Sequence, residues 1–233
     1  MHRVVSVTEE SSHSLITMDD GKANALGFDL LAQLDDALDE AESAGKVVII
    51  AGRPGKFSAG FDLSVMGAGG DAMLDLLLKG AGVSRRLVSF PTPVILAASG
   101  HALAMGALLL LSADYRIGID GPYKIGLNEV AIGMTLPWFG VELARARLAP
   151  VHLERAVSLA TLYDPAGAVA AGYLDEAVDE ADQLPRASAL AEQFSALDMA
   201  AHRASKLRTR EHLVEALASA YDKEFSRPLP VDG

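Results

Sequence analysis

Cysteine is absent from this chain of 233 residues, and tryptophan occurs only once. Without cysteine there can be no disulfide framework, no thiolate nucleophile and no Cys-ligated zinc or iron–sulfur centre. Basic residues are also in deficit, since 20 Lys and Arg face 31 Asp and Glu, which gives a formal net charge of −11. This balance argues against general nucleic-acid binding, because phosphate backbones require clustered Lys and Arg. An anionic ligand would have to be held by a local basic patch.

Targeting and membrane signals are scarce. Residues 1–10 contain no apolar stretch ahead of their acidic side chains, so we expect no signal peptide and a cytoplasmic protein. Residues 93–113 lack Asp, Glu, Lys and Arg over 21 positions, which is long enough to span a bilayer. Because Ser99-Gly100-His101 interrupts this segment, we interpret it as a strand, a tight turn and a buried helix instead.

Several common catalytic motifs are missing. The chain contains no G-x-x-x-x-G-K-[ST], no H-E-x-x-H and no G-x-S-x-G. Its histidines show no metal-ligand spacing, so no metal site is predicted. The glycine run at 67–70 lacks the full dinucleotide pattern, which disfavours an NAD(P)-dependent dehydrogenase. No separate cofactor is predicted.

The hydrophobic pattern predicts alternating strands and helices. Their order indicates an α/β fold of parallel strands covered by helices. We expect a loop at 52–56, a short helix between Asp164-Pro165 and Gly172, and a strand-free helical appendage beyond Pro185. The predicted strands are 4–8, 14–18, 46–51, 94–98, 114–119 and 174–178, and the main predicted helices are 26–45, 71–90, 102–113, 138–148 and 153–162.

Two glycine-containing loops each follow a predicted buried strand, at 57–63 and at 99–106. In parallel sheets, ligands bind beyond the carboxyl ends of the strands. Two free N–H groups that converge on one point form an oxyanion hole. Gly60, Gly100 and Gly106 could equally serve only to relieve close packing, and the spacing alone does not decide between these readings.

A single carboxylate, Glu129, lies among apolar neighbours in the segment 125–133. If it is desolvated, its pKa rises toward the range that is useful for proton transfer. The alternative is an ordinary glutamate at a helix start that faces solvent.

Four segments of this sequence resemble the crotonase superfamily, the enoyl-CoA hydratases and isomerases. They are Lys22-Ala23-Asn24-Ala25-Leu26, the loop 57–63, the loop 99–106 and Asp114-Tyr115-Arg116-Ile117. The resemblance implies a crotonase-like spiral of ββα units over residues 1–190 and a C-terminal helical trimerisation region over residues 191–233. It also implies a homotrimer or a dimer of trimers.

The resemblance further implies an acyl-CoA substrate, with coenzyme A as part of that substrate. The backbone N–H groups of Phe61 and Met105 would form the oxyanion hole for the thioester oxygen. The resemblance implies that a basic side chain such as Lys206 faces the coenzyme A phosphates. In a chain of net charge −11, Lys206, Arg208 and Arg210 are the candidate cations for a polyanionic ligand, and the alternative is that they only solvate a helix face. The implied substrate-binding residues are Lys22, Ala23, Ala25, Ser58, Ala59, Gly60, Asp62, Leu63, Gly106, Leu108, Pro137 and Lys206.

One departure from the family pattern bears on the reaction. Hydratases of this family use two glutamates, and here Leu108 occupies the first position while Glu129 occupies the second. The context of Glu129 resembles the Δ3,Δ2-enoyl-CoA isomerases, which implies a one-base proton shift in β-oxidation. A dry wall formed by Leu108 would suit that chemistry. Short actinobacterial enoyl-CoA hydratase paralogues are also similar, so a hydratase and a non-catalytic acyl-CoA-binding protein remain alternatives.

Overall fold

The computed structural model describes residues 3–225 and shows a mixed α/β fold, as the sequence predicts. The strands are β1 (Val5–Glu9), β2 (His13–Met18), β3 (Ala25–Leu26), β4 (Val47–Ala51), β5 (Gly55–Ser58), β6 (Gly60–Phe61), β7 (Val94–Ala98), β8 (Gly100–Leu103), β9 (Tyr115–Ile119), β10 (Ile125–Gly126) and β11 (Glu176–Val178). The α-helices are α1 (Phe28–Ala44), α2 (Leu63–Met66), α3 (Gly70–Ser89), α4 (Met105–Ser112), α5 (Trp138–Arg147), α6 (Pro150–Val157), α7 (Pro165–Ala171), α8 (Gln183–Ser195), α9 (Met199–Thr209) and α10 (Glu211–Phe225).

The chain contributes strands in turn to two main sheets. The larger sheet has the order β1-β2-β4-β7-β9-β11, and all of its pairs are parallel except the β1–β2 hairpin. A smaller sheet has the order β10-β8-β5. Each of β4, β7 and β9 is followed directly by one strand of the smaller sheet, and a helix comes next along the chain, after the short strand β6 in the first case. This repeat confirms the predicted succession of ββα units.

Strands β4 and β7 are buried on both faces, which explains their continuous apolar sequences. Val48 and Ile50 face the main core with α1, α3 and α4. Val47 and Ile49 face the opposite way and pack with Ala187 and Leu190 of α8. Helix α8 therefore covers the second face of the sheet. The segment beyond Pro185 is helical and strand-free as predicted, but its first helix packs on the sheet and is not an appendage.

Two predicted turns are strands in the structure. The predicted loop at 52–56 ends early because β5 begins at Gly55, and the predicted turn at 99–101 contains the start of β8 at Gly100. Gly55 and Gly100 are register partners in the smaller sheet. A Cβ atom on Gly100 would lie 2.1 Å from the carbonyl carbon of Gly55. The glycines allow close approach of two backbones rather than chain reversal.

The helix boundaries follow the capping residues. Gly45 and Gly172 end α1 and α7 in the left-handed conformation, and Asp164 caps α7 by accepting the Gly167 N–H at 2.7 Å. The predicted helix at 153–162 is wrong at both ends, since α6 starts with Pro150 at its first turn and ends at Val157. The chain then leaves the helix so that Tyr163 can pair with Ile125.

The C-terminal helices lie against the body of the fold. Helix α10 packs on α5 and α3, and α9 contacts α3. The boundary predicted at residue 190 falls inside α8, and residues 226–233 of the predicted C-terminal region lie outside the described residues. No helix within residues 3–225 is long and apolar enough to cross a membrane.

Candidate active site

The two glycine-containing loops meet at the carboxyl ends of β5 and β8. Gly60 has a positive φ of 92°, and a Cβ atom on it would lie 2.7 Å from the Cβ atom of Ala104 and 3.3 Å from the backbone nitrogen of Met105. A Cβ atom on Gly106 would lie 2.8 Å from the carbonyl oxygen of Ser58. Gly60 and Gly106 therefore permit close packing, and that packing brings the backbone of Phe61 near the start of α4.

Buried hydrogen bonds hold the first loop in place. Ser58 Oγ donates to the carbonyl oxygen of Asn24 at 2.7 Å and accepts the Gly60 N–H at 3.1 Å. Asn24, at φ 50°, donates from Nδ2 to the carbonyl oxygens of Met18 and Phe57 at 2.8 and 3.1 Å. These bonds satisfy groups that would be costly to leave unpaired inside the protein.

The second loop enters α4 through a strained residue. Ala104 has φ 49° and ψ −122°, a region that L-residues other than glycine rarely occupy. Such strain costs about 1–3 kcal/mol and persists where the surroundings enforce it. Met105 is the first residue of α4, and the first N–H groups of a helix have no partner within it. The geometry thus leaves the Met105 N–H without an intrahelical acceptor.

These loops border a largely apolar cavity of about 340 Å³. Its walls come from the loops, from α3, from the segment after β10 and from the end of α10. A concave apolar site with few polar groups is the usual form of a small-molecule site. The lining residues are Ala59, Phe61, Leu63, Met66, Met73, Leu77, Ala104, Asn128, Glu129, Ile132, Met134, Thr135, Pro137 and Glu224.

Glu129 is a buried carboxylate in this cavity. Its exposed fraction is 9%, and its Oε2 atom has no hydrogen-bond partner among residues 3–225. Burial raises the pKa of Glu129 to about 7, and the backbone N–H groups of Glu129 and Asn128 offset part of this rise. The alternative of a solvent-facing glutamate is therefore wrong. A carboxylate in this state can exchange a proton near neutral pH.

Glu224 is a second carboxylate at the cavity, but it is already bonded. Its Oε2 atom accepts the backbone N–H of Trp138 at 2.8 Å, which satisfies a donor at the start of α5. The neighbouring Lys223 lies over the Trp138 ring, with Nζ 5.0 Å from the ring centroid. The end of α10 is thereby fixed beside the cavity.

All of the predicted site residues except Leu108 and Lys206 fall into three groups. Ala59, Phe61, Leu63, Glu129 and Pro137 line the cavity together. The second group, Ser58, Gly60, Asp62, Met105 and Gly106, belongs to the two loops without lining it, and Asp62 caps α2 by accepting the Ser64 N–H at 2.9 Å. The third group comprises exposed Lys22 and half-buried Ala23 and Ala25, which lie outside the cavity lining around β3.

Two predicted positions require correction. Leu108 is 1% exposed and does not line the cavity. Its side chain packs against the first turn of α5 instead, since a Cβ atom on Gly140 would lie 3.1 Å from Leu108 Cδ1. Lys206 does not present its amine to solvent. Its side chain is 3% exposed and its Nζ atom lies 2.6 Å from Asp114 Oδ2.

The same buried network engages Arg210, which lies 2.9 Å from Asp114 Oδ1. Burial lowers the pKa of Lys206 to about 8, and the attraction of Asp114 opposes this shift. Lys206 and Arg210 therefore anchor α9 and the start of α10 to β9. Among the three predicted cations, Arg208 alone is exposed.

Several cavity residues are not predicted by the sequence analysis. Met73 and Leu77 share one face of α3 at a spacing of four residues, so the helical pattern marks them as buried but not as cavity residues. Met134 and Thr135 lie in an irregular segment without a distinctive pattern. Nothing in the sequence connects Glu224 with this site, since even Trp138, whose N–H it accepts, lies 86 residues earlier.

Comparisons with known proteins agree with this geometry. A profile of the family described as enoyl-CoA hydratase/isomerase matches residues 8–226. The mitochondrial enoyl-CoA delta isomerase 1 of Homo sapiens is 30% identical over 206 residues, covering 86% of this chain and 68% of that protein. The chain spans just over half, 56%, of the mouse and rat enzymes of the same name.

A probable enoyl-CoA hydratase of Bacillus subtilis (strain 168) is 30% identical over 203 residues, covering 82% of this chain and 76% of that protein. The crystal structure of an enoyl-CoA hydratase/isomerase family protein from Pseudomonas syringae superposes with a TM-score of 0.95 at 42% identity, covering 97% of this chain and 98% of that chain. This chain is an enzyme that belongs to the enoyl-CoA hydratase/isomerase family and has the crotonase fold.

Proposed function

We propose that this enzyme is a Δ3,Δ2-enoyl-CoA isomerase in which Glu129 is the only acid–base group. The observation that carries the proposal is one buried carboxylate in a largely apolar cavity, with its pKa raised to about 7 and its Oε2 atom without a hydrogen-bond partner among residues 3–225. Glu224 does not supply a second such group, because its carboxylate accepts the Trp138 N–H. Leu108 replaces the other family glutamate.

The proposed reaction moves one proton. The ionised Glu129 removes a proton from C2 of a 3-enoyl-CoA, the C–H electron pair forms a C1–C2 double bond, and the carbonyl π pair moves to the thioester oxygen. The product is a dienolate that keeps the C3–C4 double bond. The oxygen pair then re-forms the carbonyl, the C1–C2 π pair moves to C2–C3, and the C3–C4 π pair takes the proton from Glu129 at C4, which leaves a 2-enoyl-CoA and restores the carboxylate. A pKa near 7 suits a group that must act as base and then as acid.

The dienolate oxygen would be held by the backbone N–H groups of Phe61 and Met105. The contact of Gly60 with the start of α4 and the position of Met105 at the first turn of that helix support this assignment. Preorganised backbone donors stabilise developing negative charge without reorganising during the reaction. The strained backbone of Ala104 is consistent with a loop conformation that is maintained for this purpose.

The coenzyme A moiety is proposed to lie along residues 22–26 and 57–62. Residues 22 and 59 are exposed, and the β3–β6 pair joins these two segments. Lys206 is excluded from this role, since its amine is bonded to Asp114. A homotrimer or dimer of trimers and a cytoplasmic location remain part of the proposal.

The hydratase alternative is supported by the Bacillus subtilis relative, whose name is that of a probable enoyl-CoA hydratase. A non-catalytic acyl-CoA-binding protein is a third possibility, which the burial of Glu129 with its Oε2 atom unpaired among residues 3–225 argues against. Deuterium tracing tests the proposed mechanism. With 2,2-dideutero-3-hexenoyl-CoA in ordinary water, we expect the 2-enoyl product to carry part of its deuterium at C4. Complete replacement by solvent hydrogen at C4 from the first turnover would contradict a one-base transfer.

A further inference from the structure

Helix α3 contains two glycines in its interior, Gly80 and Gly82, although glycine is a poor helix former. Their surroundings differ. A Cβ atom on Gly82 would meet no atom within 4 Å. A Cβ atom on Gly80 would lie 2.4 Å from Cζ and 2.6 Å from Cε1 of Phe61, and 3.3 Å from Cε of Met105. The space that a side chain at position 80 would need is occupied by the Phe61 ring.

This contact borders the apolar cavity, because Phe61 is one of its lining residues. Met73 and Leu77 of α3 line the cavity, and Gly80 follows Leu77 by three residues on the same face of the helix. Phe61 lines the cavity, whereas Gly80 does not. The Phe61 ring therefore lies between the cavity and Gly80 of α3.

We propose that the Phe61 ring, seated on Gly80, sets the inner limit of the acyl pocket and makes the enzyme selective for shorter acyl chains. The proposal rests on the proposed function, because it takes the cavity as the acyl site. Because Gly80 has no side chain, the Phe61 ring can pack directly against α3 and does not extend farther into the cavity. The substrate class is that of 3-enoyl thioesters with unbranched chains of hexenoyl size, in preference to decenoyl size.

The ring and the backbone of Phe61 have separable roles. Phe61→Ala removes the ring but keeps the N–H that is proposed to bind the thioester oxygen. Gly80→Ala adds a methyl group that must displace the ring, and the cavity is the open side into which it can move. Gly82→Ala makes the same helix-favouring change without a neighbour, so it is the matched control.

The test measures binding of hexanoyl-CoA and decanoyl-CoA by titration calorimetry, together with the isomerisation rate of 3-hexenoyl-CoA. In Phe61→Ala we expect the affinity for decanoyl-CoA relative to hexanoyl-CoA to rise about tenfold or more, since single methylenes in apolar pockets discriminate by at least that factor. Gly80→Ala should weaken both ligands, and Gly82→Ala should weaken neither. In the Phe61→Ala background, Gly80→Ala should have a much smaller effect, because the ring is gone and only the 3.3 Å contact with Met105 Cε remains.

An unchanged chain-length ratio in Phe61→Ala, or an equal effect of Gly80→Ala with and without the ring, would overturn the proposal. Phe61→Leu provides the same comparison with a smaller expected shift if Phe61→Ala does not fold. If the wild type shows the expected binding pattern without isomerising 3-hexenoyl-CoA, the proposed function fails while the pocket assignment stands. If the wild type binds neither thioester, both are overturned.

Discussion

Replacing Glu129 by Gln is expected to stabilise the protein at alkaline pH while it removes activity. Burial raises the pKa of Glu129 from its ordinary value of 4.5 to about 7. The folded state therefore holds a proton on this group at pH values where the unfolded chain has released it. The stability that comes from this group is fully present below pH 4.5 and is lost as the pH rises through 7.

The size of this effect follows from the shift in pKa. A rise of this extent is equivalent to about 3 kcal/mol of lost stability at high pH, and about 2.5 kcal/mol of it develops between pH 5 and pH 8. Gln cannot ionise, so the Glu129→Gln variant does not incur this loss. Burying the Gln amide has its own energy, but that energy does not change with pH. The informative quantity is the change in the stability difference between the two pH values.

Urea unfolding of the wild type and of Glu129→Gln at pH 5 and pH 8 measures this quantity. We expect the variant to gain about 2.5 kcal/mol relative to the wild type on going from the lower to the higher pH. Glu40→Gln, which changes an exposed glutamate of α1, is the matched control and should gain nothing comparable. A pH-independent stability difference for Glu129→Gln would refute the desolvated state of this carboxylate.

Three further outcomes are expected. The value of kcat/KM should rise with pH to a plateau with a midpoint near 7, because the ionised Glu129 is the base, and a midpoint near its ordinary value would contradict this. Met105→Pro should lower kcat by the roughly 10²-fold to 10³-fold that is typical of losing one oxyanion donor. Met105→Gly keeps the N–H group and should lower kcat less. Equal losses of kcat in the two folded variants would exclude the backbone role. Lys206→Met should lower the free energy of unfolding by about 1–3 kcal/mol, which is less than the full effect of breaking a buried pair because Arg210 still neutralises Asp114. The same variant should leave the salt dependence of acyl-CoA binding unchanged, and a reduced salt dependence would restore Lys206 as a phosphate contact.

The elements that sequence predicts best are those whose pattern has one physical cause. Strands β4 and β7 are continuous apolar runs because both of their faces are buried, and the structure places them where the sequence analysis does. Gly55 and Gly100 are predicted as turn residues but lie in strands, because turns and close backbone contacts both favour glycine, for different reasons. Only the pairing of β5 with β8 distinguishes the two.

The same limit applies to the candidate site. The apolar neighbours of Glu129 in sequence are compatible with either burial or exposure, and Val130 and Ile132 are in fact about half exposed. The burial of Glu129 depends on walls that come from distant parts of the chain, including α3. The acidic partner of Lys206 is likewise 92 residues away, so a buried ion pair looks like a basic patch in the sequence.

The relative rates on two substrates test the central claim most directly. Purified wild-type protein would be assayed with 3-hexenoyl-CoA for isomerisation and with crotonyl-CoA for hydration, in the same buffer and at the same enzyme concentration. One buried carboxylate in a largely apolar cavity, with its Oε2 atom unpaired among residues 3–225, predicts that isomerisation is the faster reaction. Glu129→Gln should lower that rate by roughly 10²-fold to 10⁴-fold. A wild-type enzyme that hydrates crotonyl-CoA faster than it isomerises 3-hexenoyl-CoA would contradict the account.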